Sequence, residues 1–244
     1  MKNKKVDFTE YWEHVEDPMH GHTDDAWPLR YAKEVLFYLK EGDKIFVDTG
    51  CGTGDILKVL SSRFEKIYGV DFSQAMIDKA ELTFNNSERK PIFYCDNMLN
   101  IDKRIPEKVD IIFNNHSLQY LTLSEVGSLI ENSDRILNEQ GRILFFNVPD
   151  ANKRWLYLAE FYGERGDKPF SKVGLWKEGL RLRWNVFKAR IKNPKYKYYD
   201  GVGYWFYKDD IINVANSKGF ECKVTNSIYP PYGYRFNVVI SRKK

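Results

Sequence analysis

The chain has 244 residues, of which 43% are hydrophobic and 30% are charged, and its formal net charge is +4 at pH 7. This length suits one domain with an added segment. No apolar run is long enough to cross a bilayer, and no apolar segment follows the basic first five residues, so we expect a cytoplasmic protein without a membrane span. The three cysteines are widely separated, which predicts neither a disulfide framework nor a metal site.

The N-terminal part of the chain reads as an arm followed by a helix. Residues 1–22 contain the aromatic pair Tyr11 and Trp12, which we expect to pack on the fold. Residues 23–39 follow a helical pattern, in which Pro28 is tolerated only near the start.

A short apolar run at residues 45–48 leads into a glycine-rich turn and then into a helix. The turn contains Gly50, Gly52 and Gly54, and Asp48 lies two residues before the first of them. This spacing differs from the G-x-G-x-x-G fingerprint of dinucleotide-binding folds. A nearby carboxylate also repels a pyrophosphate, whereas it favours a ligand that carries a sulfonium and an ammonium group.

Two further strands are predicted at residues 66–71 and 91–95, and an acidic residue lies at the end of each. Asp71 follows Asp48 by 23 residues, the position from which a carboxylate can accept two hydrogen bonds from a ribose diol. The alternative is that Asp71 only caps the helix that begins near Ser73. Asp48, Asp71 and Asp96 are therefore expected at one edge of a parallel sheet.

This set of motifs resembles the class I S-adenosylmethionine-dependent methyltransferases, whose first motif is Asp-x-Gly-x-Gly-x-Gly. The resemblance implies an α/β fold with a seven-stranded, doubly wound, mostly parallel sheet and an antiparallel last strand. It also implies S-adenosyl-L-methionine as cofactor, bound by the glycine turn, with Asp71 and Phe72 at the ribose. Asp96, Asn97 and Met98 would then border the adenine.

The same resemblance assigns expectations to the N-terminal residues. Members of this class commonly fold their N-terminal segment over the cofactor, which makes Tyr11 and Trp12 candidate lid residues. Many relatives place a basic residue for the cofactor's carboxylate where Arg30 lies, although a solvated arginine is the alternative.

The fourth predicted strand, residues 109–113, is followed by Asn114, Asn115 and His116. The carboxyl ends of parallel strands are where open α/β sheets carry out their chemistry. His116 is our candidate general base, because an imidazole can take a proton from a hydroxyl or amine at neutral pH. The alternatives for His116 are a structural histidine and a contact to the cofactor. Asn115 is a further candidate cofactor contact. Tyr120 is a second candidate for removing the acceptor's proton.

The C-terminal half contains a basic insertion. After a capping box at Thr122 and Glu125 and a fifth strand at residues 141–149, residues 151–205 carry thirteen basic and five acidic residues. We interpret this insertion as a mainly helical substrate cap with Arg181 and Arg183 as anion ligands. Residues 23–150 and 206–244 then form the core, which closes with a helix and a β-hairpin whose Tyr232 and Arg235 are possible substrate contacts.

The sequence favours methyl transfer to an oxygen of a small anionic metabolite. A phosphorylated or nucleotide-linked sugar, or a phosphoryl group, would suit the basic cap. Such an acceptor would be consistent with a role of the enzyme in surface-polysaccharide synthesis. Structured RNA is the alternative acceptor, and a non-catalytic cofactor-binding scaffold is a third interpretation. No cysteine lies directly after the fourth strand, where Asn114, Asn115 and His116 stand, which disfavours cytosine C5 methylation. Oligomeric state is not predicted.

Overall fold

The computed structural model describes residues 27–154, 203–227 and 233–243, and also residues 156, 180 and 184. Its strands are β1 (Ile45–Thr49), β2 (Lys66–Asp71), β3 (Ile92–Cys95), β4 (Val109–Asn115), β5 (Leu137–Pro149), β6 (Phe220–Asn226) and β7 (Arg235–Arg242). The α-helices are α1 (Trp27–Leu36), α2 (Asp55–Leu60), α3 (Gln74–Thr83), α4 (Ile101–Arg104), α5 (Leu123–Ile136) and α6 (Lys208–Ser217). Short 3-10 helices cover Met98–Asn100, Leu118–Tyr120 and Ala151–Lys153. The N-terminal arm at residues 1–22 and nearly all of the proposed cap lie outside the described residues.

The strands form one seven-stranded sheet in the order β3-β2-β1-β4-β5-β7-β6. The pairs within β3-β2-β1-β4-β5 are parallel, whereas β7 runs antiparallel to both of its neighbours. This arrangement confirms the predicted doubly wound, mostly parallel sheet with an antiparallel last strand. No helix in the described part of the chain is long and apolar enough to span a membrane.

The sheet buries side chains on both faces because adjacent residues of a strand point in opposite directions. Phe46 packs with α1, α2 and α3, and its ring lies 4.8 Å from that of Phe64 between centroids. Val47, its neighbour in β1, packs with α4, α5 and α6 on the other face. Each fully buried side chain of this kind contributes about 1.5–3 kcal/mol through the hydrophobic effect, which explains why both faces of β1 are apolar.

Local signals set several helix ends. The Ser73 hydroxyl accepts a hydrogen bond from the Met76 amide at the start of α3, and Thr122 and Glu125 form the predicted capping box of α5. Gly219 follows α6 with a φ of +87°, a left-handed conformation that glycine adopts without steric cost.

Two boundaries differ from the prediction by three or more residues. The first helix ends at Leu36 instead of residue 39, because the amides of Phe37 and Tyr38 bond to carbonyls three residues back in a tightened turn. The fifth strand begins at Leu137 instead of residue 141, since a register shift against β4 accommodates its polar first residues.

Candidate functional site

The carboxyl ends of the central parallel strands gather most of the residues that the sequence singled out. Asp48 lies in β1 one residue before its end, Asp71 ends β2, and Asn115 ends β4. β1 pairs with both β2 and β4, so these three side chains belong to neighbouring strands. We call this side of the sheet the carboxyl edge.

The glycine turn after β1 has a left-handed backbone at all three glycines, with φ values of +83°, +52° and +76° at Gly50, Gly52 and Gly54. The Gly50 and Cys51 amides donate hydrogen bonds to the Val70 carbonyl of β2, at N···O distances of 2.7 and 3.2 Å. A Cβ atom at Gly50 would lie 2.2 Å from the Ser117 Oγ. The turn therefore needs glycine at position 50 for backbone conformation and for the close approach of the loop after β4.

Asp71 holds the glycine turn in place. Its Oδ2 accepts a hydrogen bond from the Gly52 amide and its Oδ1 accepts one from the Ser73 amide, each at 3.0 Å between N and O. Burial raises the pKa of this carboxyl, and the backbone hydrogen bonds act in the opposite direction. A carboxylate can accept about four hydrogen bonds, so Asp71 keeps acceptor capacity for hydroxyl groups of a ligand.

Asp48 is the most unusual carboxyl group of this edge. The residue is 3% exposed, and its Oδ1 has no hydrogen-bond partner among the described residues. Burial, followed by the nearby negative charge of Asp71, raises the pKa of Asp48 to about 8. A buried carboxylate without a partner is costly unless a positively charged group compensates for it.

The third acidic residue lies in the loop after β3 and is already well bonded. Asp96 accepts hydrogen bonds from the Asn97 amide at 2.7 Å and from the Asn100 side chain at 2.9 Å, and it pairs with the Arg104 guanidinium. Partial burial acts to raise the pKa of Asp96, but these hydrogen bonds bring it below its usual value. The side chain of Met98 in the same loop is buried, as expected for an apolar wall.

Three residues that the sequence did not single out connect β1 to the loop after β4. The Asn114 Nδ2 donates to the Thr49 carbonyl at 2.6 Å and to the Ser117 Oγ at 2.7 Å, and Ser117 donates to the same carbonyl at 3.1 Å. Asn114 is fully buried. The sequence signal that could have identified Asn114 was its polar side chain directly after Phe113, at the end of an apolar strand.

His116 lies in the strained turn directly after β4. Its φ is +60°, its amide donates to the Phe146 carbonyl at 3.2 Å, and its side chain is half-buried. The Nε2 atom lies 3.1 Å from the Tyr31 hydroxyl oxygen, and the two rings meet edge to face at 5.5 Å. Left-handed backbone is uncommon in residues other than glycine and clusters at functional sites. Arg30, next to Tyr31 in α1, is half-buried.

A β-bulge in β5 organises the neighbouring polar side chains. The pairing of β5 with β7 shifts between Phe145 and Val148, and Asn147 has a φ of +56°. The Asn147 amide donates to the Asn237 Oδ1 at 2.9 Å, its Nδ2 donates to the Asn115 Oδ1 at 2.7 Å, and Asn237 donates to Glu34 of α1. The network fixes the Asn115 amide from three other elements.

Arg235 and Tyr120 lie beside this bulge. The Arg235 guanidinium donates to the Asn147 carbonyl and, at 3.2 Å, to the Gln119 Oε1. The Gln119 Nε2 donates to the Tyr120 hydroxyl at 3.2 Å. Arg235 thus fastens β7 to the loop after β4. The other candidate residues, Tyr11, Arg181, Arg183 and Tyr232, lie outside the described residues.

Residues 46–141 match a family model described as a methyltransferase domain. Residues 46–141 therefore have the sequence of a methyltransferase domain, in agreement with the S-adenosylmethionine-dependent, Rossmann-like class. The family resemblance seen in the sequence is thereby confirmed.

The similarity of this methyltransferase domain to individual proteins is distant. It is 28% identical over 123 residues to the probable S-adenosylmethionine-dependent methyltransferase CRG1 of Saccharomyces cerevisiae, covering 50% of this chain and 41% of that protein. The chain spans about half the length, or less, of the curated relatives it matches first.

Solved structures share the fold. An S-adenosylmethionine-dependent methyltransferase from Clostridium acetobutylicum superimposes with a TM-score of 0.62 at 17% identity, covering 98% of this chain and 100% of that one. The N-methyltransferase NodS from Bradyrhizobium japonicum, solved with S-adenosyl-L-homocysteine, gives a TM-score of 0.59 at 14% identity, covering 95% and 94%.

The carboxyl edge of the methyltransferase domain fits a ligand that carries positive charge and no phosphate. The buried Asp48 carboxyl offers an acceptor, and a cation beside it would favour its charged form, while Asp71 adds a second carboxyl. A Cβ atom at Gly52 would meet no atom of the described residues within 4 Å, so these residues leave open space beside the glycine turn. These two carboxyl groups would repel the pyrophosphate of a dinucleotide.

Proposed function

We propose that this methyltransferase domain binds S-adenosyl-L-methionine and transfers its methyl group to an oxygen of a small anionic metabolite, releasing S-adenosyl-L-homocysteine. The acceptor would be a phosphorylated sugar, a nucleotide-linked sugar or a phosphoryl group, of the kind used in surface-polysaccharide synthesis. The observation that supports the cofactor most directly is the buried carboxyl oxygen Oδ1 of Asp48 beside the glycine turn, which has no hydrogen-bond partner within the part of the chain that the structure describes.

Each carboxyl group at this edge has a proposed partner in the cofactor. Asp48 would compensate the positive charge of the ligand, Asp71 and Phe72 would border the ribose, and Asp96 and Asn97 would lie at the adenine amino group. Asp71 already accepts two backbone hydrogen bonds, which supports this role because its position is fixed before binding. When bound, the cofactor supplies an electrophilic methyl carbon attached to a positively charged sulfur.

Further cofactor contacts are proposed for the rim of this edge. Gly50, Gly52 and Gly54 would leave room for the ligand, and Met98 would supply an apolar wall. Asn115 is held by Asn147 and would contact the methionine part of the ligand. Arg30 would bind the cofactor's carboxylate, and residues 1–22 with Tyr11 would cover the site.

The proton of the acceptor group needs a base if the acceptor is a hydroxyl. His116 is the proposed base because it lies in the loop after β4 with its backbone held by β5. Tyr120, three residues after Ser117, is the second candidate. A His116→Ala variant that kept its full methyl-transfer rate and its cofactor affinity would remove this assignment.

The anionic character of the acceptor rests on the basic segment. Residues 151–205, with Arg181 and Arg183, are proposed as the substrate cap, and Tyr232 and Arg235 as contacts from the hairpin. Thirteen basic residues in this segment would attract phosphate or carboxylate groups. The same charge favours RNA as the second candidate acceptor.

Cofactor binding is tested by calorimetric titration with S-adenosyl-L-homocysteine. We expect Asp71→Ala to bind about 5- to 150-fold more weakly than the wild type, because charged hydrogen bonds to hydroxyl groups contribute about 1–3 kcal/mol. Asp78→Ala is the matched control, since Asp78 is exposed in α3 and bonds only to Gln74 among the described residues. Equal affinities in Asp71→Ala and Asp78→Ala would refute the ribose assignment.

The acceptor class is tested with S-adenosylmethionine that carries a labelled methyl group. The protein is incubated with an extract of the source cell, which is then fractionated into small anions, polysaccharide, RNA and protein. We expect label in the small anionic pool, on oxygen. Label in RNA would replace the preferred acceptor with the second candidate, and label on nitrogen would overturn the proposed O-methylation.

A further inference from the structure

Helix α1 brings a buried tyrosine against the proposed base. The Tyr31 hydroxyl oxygen lies 3.1 Å from the His116 Nε2, and the tyrosine is only 2% exposed. The Tyr31 ring also meets the Trp27 ring edge to face, with 5.8 Å between centroids. The position of Tyr31 is therefore set by its own helix and by the core, independently of its contact with His116.

The imidazole of His116 is fixed from two sides. Its backbone is held in a left-handed conformation, with its amide bonded to the Phe146 carbonyl of β5, and its ring is bonded to Tyr31 of α1. Strained backbone of this kind persists only where surrounding contacts hold it. The position of the ring thus depends on α1 as well as on the sheet.

A neutral imidazole carries one N–H, and its hydrogen-bond partner decides which nitrogen holds the proton. The phenol of tyrosine can both donate and accept a hydrogen bond. Its oxygen can accept a hydrogen bond from Nε2–H, which leaves Nδ1 as the unprotonated nitrogen. If the phenol instead donated to Nε2, Nδ1 would carry the proton and the ring would have no basic nitrogen for a substrate.

We propose that Tyr31 is a positioning residue that accepts a hydrogen bond from the His116 Nε2–H, so that Nδ1 is the nitrogen that takes the acceptor's proton. This inference rests on the proposed function. In the transfer step the acceptor hydroxyl gives its proton to Nδ1 while its oxygen forms the bond to the methyl carbon. The electron pair of the broken carbon–sulfur bond stays on sulfur, so charge and atoms balance.

The tautomer of His116 is measured directly by nitrogen NMR on the full chain with ¹⁵N-labelled histidine. The chain has four histidines, and the spectrum of His116→Gln identifies the signals of His116. In the wild type, above the pH at which the ring is charged, we expect a protonated Nε2 and an unprotonated Nδ1. A protonated Nδ1 would overturn the inference.

The role of the hydroxyl is tested with Tyr31→Phe, which keeps the aromatic ring and its packing. We expect its Nε2 signal to move towards that of a solvent-exposed imidazole, and kcat to fall about fivefold to tenfold with the acceptor that the labelled-methyl experiment identifies, because one hydrogen bond is lost. The KM for S-adenosylmethionine should stay within twofold. An unchanged Nε2 signal or an unchanged kcat would overturn the inference.

Tyr38→Phe is the matched control for this variant. The Tyr38 hydroxyl lies 3.3 Å from the Thr225 Oγ1 at the surface, so its removal also breaks one hydroxyl contact but leaves His116 untouched. We expect wild-type NMR signals and a wild-type kcat. If Tyr31→Phe does not fold, the wild-type tautomer alone decides the proposal.

The inference and the proposed function fail in different ways. A wild-type protein that does not bind S-adenosyl-L-homocysteine would refute the proposed function, whatever the tautomer of His116. A protein that binds this ligand but has a protonated Nδ1 would refute only the role of Tyr31.

Discussion

Buried charged side chains have different surroundings at the two edges of the sheet. At the amino edge, where the parallel strands begin, Asp43 and Arg142 are 8% and 5% exposed and form an ion pair. The Arg63 guanidinium donates to the Asp43 and Lys40 carbonyls beside them, at 3.1 and 3.0 Å. At the carboxyl edge, Asp48 is buried just as deeply, but its Oδ1 has no hydrogen-bond partner among the described residues.

Backbone strain follows the same division. Among the described residues other than glycine, positive φ angles occur at His116 and Asn147, and both lie at the carboxyl edge. The amino edge therefore contributes stability through paired charges, whereas the carboxyl edge contains unfavourable groups that a ligand can compensate. A substitution at the amino edge should change stability without changing ligand binding, whereas removal of a carboxyl group at the carboxyl edge should weaken ligand binding.

The largest effect is expected from Arg142→Leu at the amino edge. This change leaves the Asp43 carboxylate buried without its cation, so we expect a loss of about 3–5 kcal/mol in the free energy of unfolding. Denaturant unfolding measures it. The affinity of the folded variant for S-adenosyl-L-homocysteine should not change, and a weaker affinity would contradict the division between the edges.

Two further variants control the Arg142→Leu result. In the double variant Asp43→Asn/Arg142→Leu no buried charge is left, and most of the lost stability should return. Glu65→Gln breaks the exposed Lys44–Glu65 ion pair, whose side chains are 59% and 67% exposed, and should leave the free energy of unfolding nearly unchanged.

A smaller loss of stability is expected from Gly50→Ala at the carboxyl edge. The φ of +83° disfavours alanine by about 1–2 kcal/mol, and the clash with Ser117 adds about 1–3 kcal/mol. Gly219→Ala is the matched control, because its φ of +87° is similar and its Cβ would meet no atom within 4 Å. If both variants lose the same stability and Gly50→Ala still binds S-adenosyl-L-homocysteine normally, Ser117 does not require glycine at position 50.

The smallest change in the free energy of unfolding is expected from Asp48→Asn. Unlike the other substitutions, it should stabilise the protein. The folded-state pKa of Asp48, about 8, lies above the ordinary value of an aspartate, so the folded protein retains a proton that the unfolded chain releases. The stability of the ligand-free wild type should fall as pH rises from about 4 to about 8. Asparagine has no such titration, so at pH 8.5 the variant should be more stable by about 1–3 kcal/mol.

Thermal unfolding of wild type and Asp48→Asn across this pH range measures the difference. The variant should also lose affinity for S-adenosylmethionine, since it lacks the negative charge that the ligand needs. A stability difference that does not vary with pH would show that Asp48 is already ionised in the folded protein.

The elements of the fold could be predicted from local patterns. Ser73 and the pair Thr122 and Glu125 marked helix starts correctly, because a cap depends on residues three positions apart. The apolar run of β1 marked its strand for the same reason. The beginning of β5 was missed, since its polar residues look like a turn and pair only through a register shift.

The candidate site could be predicted only where one motif specified it. Asp48, Asp71 and His116 were singled out in the sequence because each lies at the end of a strand or beside the glycine turn, and their roles stay predictions. Tyr31 and Asn237 were missed, because their partners lie 85 and 203 residues away in the chain. A polar residue within an apolar strand, such as Asn237 between Phe236 and Val238, was a local sign of that network.

The position of β7 in the sheet has a consequence for the newly synthesised chain. β7 follows β6 in sequence but lies between β5 and β6, so β1 to β5 leave the ribosome and can pair before β7 exists. During that interval the outer edge of β5 exposes unpaired backbone groups, which is a state prone to association with other chains. The arrival of β7 covers this edge and brings Asn237 to the bulge at Asn147. The polar network around the proposed acceptor site is therefore completed last during synthesis.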